Sequence, residues 1–155
     1  MNRILYILIS FCFLASGWSA HAQRITDEGF RIIANIKSDG TIQDASFRII
    51  GHIRNDGMIQ DASFKTIGFL KDNGTVQDNN FRIIGHIKSD GTVQDSSYRI
   101  IGYVRKNGTI QDGSFKTIGH ADGIPVKWAA WYFFFRNYSF SVGDIDPTLL
   151  RRFRS

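Results

Sequence analysis

The sequence predicts an all-β fold: tandem 17-residue β-hairpin repeats closed in a ring, with a C-terminal aromatic plug segment. Three observations carry this. Phe30, Phe47, Phe64, Phe81, Tyr98 and Phe115 open successive units at a fixed step of 17 residues. Within each unit, short runs of Ile, Val and Thr are bounded by Gly, Asp, Asn or Ser, the pattern of strands joined by turns. The chain also begins and ends its repeats in mid-unit, so the two incomplete pieces complement one another.

In chain order, residues 1–22 read as a signal peptide. Met1-Asn2-Arg3 is a short positive start, Ile4 to Ala15 is apolar, and Ala20-His21-Ala22 offers a small-x-small cleavage site. The apolar run is about a dozen residues, short of the ~20 that span a bilayer. Export with cleavage after Ala22 is expected, placing the protein in the periplasm, in the cell envelope or outside the cell. No integral membrane segment is expected after cleavage. Cys12 is the only cysteine and lies in this leader, preceded by Phe11 where a lipoprotein signal wants a small residue. From Gln23 onward the chain therefore has no disulfide, thiolate metal site or cysteine nucleophile.

Residues 23–127 form the expected β-hairpin repeat domain. The bend of each hairpin is a triplet ending in Gly, such as Asn55-Asp56-Gly57 or Lys106-Asn107-Gly108. A three-residue loop of this kind is a type I turn followed by a left-handed residue, which Gly adopts without steric cost. It sets Ile53 opposite Ile59, Leu70 opposite Val76, Ile87 opposite Val93 and Val104 opposite Ile110. A two-residue loop would set each aliphatic against Gln, so apolar pairing selects the longer loop. The last unit is shortened, and its Asp122-Gly123 is expected to form a tight turn between Ala121 and Ile124. Gly51, Gly68, Gly85, Gly102 and Gly119 follow an unvarying isoleucine in mid-strand, with Ala34 at that place in the first unit. A bulge there would let the isoleucine and the aliphatic three places on both face the core.

Short hairpins are marginal alone and must pack on one another. Ile25 and Asp27 are in phase with Ile42 and Asp44, so the first piece supplies a second half-unit, and the segment from Phe115 supplies a first half. Pairing of the two would remove the exposed edges. It would make six units in all, five complete and one assembled from both ends.

Residues 128–140 break the period. From Lys127 to Phe140 the chain holds eight aromatics, expected to be a helix or strand whose rings cover one mouth of the ring. The competing reading is an exposed patch, with Trp128, Trp131 and Tyr132 as surface-binding candidates. Residues 141–155 form a basic tail, in which Arg151 and Arg152 are further surface candidates.

Seventeen-residue "IGxIxxDGxIxD" hairpins behind a leader, ending in an Ala-Ala and Phe-rich segment, resemble the 5-fold beta-flower proteins of Bacteroidetes-type bacteria. The resemblance runs from about Ile25 to Phe135. It implies hairpin petals around an axis and implies no catalytic motif.

Candidate chemistry is sparse. His52, His86 and His120 occupy one position in alternate units, 34 residues apart. In a closed six-unit ring they form a three-fold set that would suit Zn²⁺ with one open coordination site, and hence a zinc-dependent activity. Asn35, Phe69 and Tyr103 at the intervening places point to a wall position instead. The acidic column Asp27, Asp44, Asp61, Asp78, Asp95 and Asp112 is expected to cap turns and pair with neighbouring Lys and Arg, in preference to holding calcium. No Ser-His-Asp set, P-loop or HExxH motif is present, and no cofactor is expected.

Nineteen basic against 14 acidic residues give a mild charge of +5, spread through the repeats. That spread, with no basic groove, argues against nucleic acid. The chain is expected to be a non-catalytic structural or binding module. Its partner would be a cell-envelope glycan or protein, with the basic and Gln columns presenting a multivalent surface to an anionic glycan.

Overall fold

The computed structural model describes residues 23–139. The leader, Arg151 and Arg152 lie outside the described residues.

Twelve strands run antiparallel. They are β1 Arg24–Asp27, β2 Ile32–Ile36, β3 Thr41–Asp44, β4 Ile49–Ile53, β5 Met58–Asp61 and β6 Thr66–Leu70. Then follow β7 Thr75–Asp78, β8 Ile83–Ile87, β9 Thr92–Asp95, β10 Ile100–Val104, β11 Thr109–Asp112 and β12 Thr117–Asp122. Each pairs with its sequence neighbours, and β1 pairs with β12 to close the barrel. At the seam Ile25 faces Ala121 and Thr26 faces His120. The two incomplete pieces of the repeat therefore meet, and six hairpins surround the axis.

The hairpin register is the one apolar pairing selects: Ile53 faces Ile59, Leu70 faces Val76, Ile87 faces Val93 and Val104 faces Ile110. In each loop the Gly amide donates back to the residue before the loop, as Gly57 does to the Arg54 carbonyl at 2.9 Å, and Gly57 holds φ 80°. The Asx residue before Gly accepts from the amide two places on, as Asp56 Oδ1 does from Met58 at 3.0 Å. The mid-strand bulge is also present. Ile42 pairs with Gly51 but Gln43 with Ile49, so Ile50 is the extra residue. It packs against the core beside Gly51.

Past β12 the chain departs from the expected turn. Ala121 pairs with Ile25 across the seam, not with Ile124, because Asp122-Gly123 turns the chain towards the core. There it forms α1 (Val126–Ala130), a π-helical turn (Trp131–Phe135) and α2 (Arg136–Ser139). Lys127 Nζ donates to the Asp72 carbonyl, tying α1 to the β6–β7 loop. Ala129, Ala130, Trp131, Tyr132 and Phe135 join the aliphatic core built from the inward residues of every strand.

The strand glycines make this possible. A Cβ on Gly85, Gly102 or Gly119 would fall well inside van der Waals contact of Phe135, Phe134 or Phe133 respectively. Three consecutive aromatics thus meet three successive petals. Consecutive side chains cannot share one face of a helix, so such a run needs wall on several sides. A closed barrel supplies it.

This settles two of the surface candidates. Trp131 is 1% exposed and Tyr132 6%, so neither presents a surface, and Trp128 is partly buried against the core. Sequence alone could not separate an exposed patch from a plug, because both are runs of aromatics. Among the described residues no helix is long and apolar enough to cross a membrane.

Candidate functional site

The site is built at the second turn of each petal, where one hairpin hands over to the next. Asp95 to Arg99 is representative. The Tyr98 amide donates to the Asp95 carbonyl at 3.0 Å and the Asp95 amide to the Arg99 carbonyl at 2.9 Å. This is again a three-residue loop whose last residue is left-handed, as in the Gly loops at the other end. Here that residue is aromatic. Phe30, Phe47, Phe64, Phe81, Tyr98 and Phe115 all hold φ between 61° and 65°. These rings therefore lie in turns, two residues before the first strand of the unit that each opens.

Side chains hold this backbone in place. Asp95 Oδ1 accepts from the amides of Ser97 at 2.8 Å and Arg99 at 3.0 Å, and its Oδ2 accepts from Arg99 Nε at 2.8 Å. Gln94 Nε2 donates to the Tyr98 carbonyl at 2.8 Å. The Asp column is thus spent on turn capping, as its spacing predicts. The Gln column is not a free polar surface, since Gln43, Gln60, Gln77 and Gln111 each grip the aromatic residue's carbonyl in the same way.

These contacts shift the carboxylates. Asp27 and Asp44 are held below the ordinary range chiefly by the Arg31 and Arg48 amides. For Asp78 and Asp95 the largest influence is desolvation, which raises the pKa. The amides and guanidinium groups of Arg82 and Arg99 outweigh it, and the net shift is downward.

The rings fold back onto the outer wall. Gly51 and Ile53 face inward, so His52 between them faces out, and Phe64 stacks on it with centroids 4.8 Å apart and planes 9° apart. Phe81 lies on Phe69, Tyr98 on His86, Phe115 on Tyr103, and Phe30 on His120 across the seam. Each outer ring remains well exposed, from 58% at Phe115 to 71% at Phe30. A belt of two-ring stacks results. It is incomplete at one petal, where Asn35 stands at the position beneath Phe47 and leaves Nδ2 buried without a partner.

The belt disposes of the three-histidine centre. On the outer wall of alternate petals the imidazoles of His52, His86 and His120 diverge, and each is covered by a ring of the following unit. Among the described residues no group of three His, Cys, Asp or Glu side chains is placed to share a metal ion. Strand parity decides this, because a position next to the inward Gly must face outward.

The basic column completes the belt. Arg31, Arg48, Arg82 and Arg99 are 77–81% exposed while their Asp partners are only 7–21% exposed. Arg105 lies over Tyr103 at 4.7 Å and Lys71 over Phe69 at 5.0 Å. Sequence reasoning found the aromatic column but not its role. The available signal was that "DSSYR" and "KSDGT" have the same turn length, with Tyr where the other loop has Gly.

No curated protein and no solved structure matches the chain. Residues 22–137, which include every strand and nearly all of the helical segment, match the family described as 5-fold beta-flower protein. With six hairpins in its ring, this chain departs from the symmetry in that description. A barrel of Gly-bent petals around its own aromatic helix, matched over most of its length, belongs to the 5-fold beta-flower protein family.

Proposed function

We propose that this repeat scaffold is an exported, non-catalytic binding module of the cell envelope that takes an anionic glycan on the outside of its barrel. The observation that carries this reading is the belt itself. Five petals repeat an exposed ring stacked on an outward ring, and in three of them, at Arg31, Arg82 and Arg99, the basic head beside the ring reaches solvent while its acidic partner is largely covered. Repetition of a weak contact around one rigid body gives avidity without any single deep pocket. The core of the barrel is meanwhile occupied by the chain's own helix. Export rests on the charged start, apolar run and Ala20-His21-Ala22 site of the leader.

The test is a glycan array probed with the protein purified after expression of the full chain in a bacterium with a secretory pathway. Mass analysis would report whether the product begins at Gln23. Retention on acidic glycans over neutral ones is the expected result. A blank array would leave a purely structural role, and a product retaining Met1 would overturn export.

A further inference from the structure

The conformation of the belt aromatics is the least economical feature of the fold. A left-handed backbone costs an L-residue roughly 1–2 kcal/mol and Gly nothing. Yet all six copies place Phe or Tyr there, and strain retained at a surface position is a pointer to use. What the conformation achieves is orientation. It lays the ring flat on the wall, within 8–17° of parallel to the outward ring beneath it in four of the five stacks and 11° at Phe30. One π-face is covered and the other faces solvent.

Deepening the reading above, and resting on it, we propose that the belt is a track for a linear anionic polysaccharide wound around the barrel. Every second sugar stacks its C–H face on a petal's ring and sets its acid group on the adjacent Arg or Lys. Petals recur every second strand, so successive rings are roughly 10 Å apart along the wall, on the order of a disaccharide. Charge agrees with this assignment. In four petals the Arg side chain is 77–81% exposed and its Asp partner only 7–21%, so the member of each pair that an incoming acid group meets first is the basic one. A planar bilayer fits worse, since rings lying flat around a convex wall can meet a plane at only one or two petals. The first petal is the natural end of the track. Its Asn35 gives Phe47 no ring to rest on, and Thr26 stands where the other petals have the carbonyl-gripping Gln.

The experiment is calorimetric titration of the protein purified after full-chain expression. The ligands are oligomers of alternating uronic acid and N-acetylhexosamine, from disaccharide to dodecasaccharide. A neutral glucan of equal length and mixed phosphatidylcholine–phosphatidylserine vesicles serve as the other probes. Affinity should rise with each added disaccharide, and the neutral glucan should bind at least tenfold more weakly. Phe64→Gly combined with Tyr98→Gly removes two platforms while relieving backbone strain, and should cost roughly tenfold in affinity. Arg82→Gln combined with Arg99→Gln removes two solvent-facing heads together with their ion pairs to Asp78 and Asp95, leaves the backbone amides that cap each turn in place, and should weaken binding and flatten its salt dependence. It carries the comparison if the Gly variant does not fold. Acidic oligomers that bind both variants as tightly as the parent would overturn the track but leave glycan binding standing. Vesicle binding without oligomer binding, or no binding to any probe, would overturn both.

Discussion

The ring of Phe64 rests on the imidazole of His52, 12 residues earlier and one strand pair away, at 4.8 Å and 9° from parallel. It does so from a backbone at φ 62°. Two opposed terms meet in this one residue: a left-handed conformation that costs about 1–2 kcal/mol, and an aromatic contact worth about 0.5–1.5 kcal/mol. Phe64→Gly gives up the contact and the strain together, so its urea-unfolding stability should stay within about 1 kcal/mol of the parent. Phe64→Ala gives up the contact and keeps the strain, and should be less stable than the Gly variant by about 1 kcal/mol. Equal stability of the two variants would refute the left-handed turn.

The contact of Phe135 with Gly85 predicts a steep size dependence in mid-strand. A methyl at Gly85 would also lie 2.5 Å from the Gln94 carbonyl oxygen, so backbone and ring cannot both yield. Gly85→Ala should cost about 1–3 kcal/mol or more by overpacking, and Phe135→Ala about 3–5 kcal/mol by opening a cavity. At the equivalent place in the first petal, Ala34 already carries a buried methyl, and Ala34→Gly should cost only about 1 kcal/mol. Chemical denaturation of the three variants gives the order.

The capping carboxylates predict an acid limb. Asp27, Asp44, Asp78 and Asp95 have folded pKa values below their ordinary value near 3.8. The unfolded chain then binds more protons between the two values, so stability increases with pH in that interval. Their contribution is complete above about pH 4 and is lost as pH falls through the depressed folded values. Urea midpoints measured from pH 6 down to pH 2 should fall only in the lower part of this range. Asp44→Asn with Asp95→Asn should lower the plateau and make the fall shallower. An unchanged slope would deny these groups the role.

Closure at the β1–β12 seam predicts a crosslink between residues almost 100 positions apart. Thr26 and His120 are directly opposed, and opposed residues in antiparallel strands have Cβ atoms about 4.5–5.5 Å apart. Thr26→Cys with His120→Cys should form an intramolecular disulfide on mild oxidation, seen as faster migration on a non-reducing gel and a loss of two hydrogens by mass. An open stack of hairpins would leave both thiols free.

How much of this was legible beforehand follows from the range of each interaction. Loop type, strand register and the bulge beside Gly51 are local. Each is set by residues within about ten positions, and five near-copies of one phrase make the pattern plain in "FRIIGHIKSDGTVQDSS". Ring closure was legible as well, because Ile25 and Asp27 stand in phase with a half-unit missing from the other end. Three things required the folded chain. That Tyr98 occupies the left-handed place of a turn depends on Gln94 gripping its carbonyl and on His86 lying beneath its ring. That His52, His86 and His120 diverge follows from which strand face holds the core. That Trp131 and Tyr132 are buried follows from the barrel wall enclosing the helical segment that carries them. Repetition writes local geometry many times over, but side-chain facing and helix docking arise from pairs of residues far apart in the chain, and only closure brings those together.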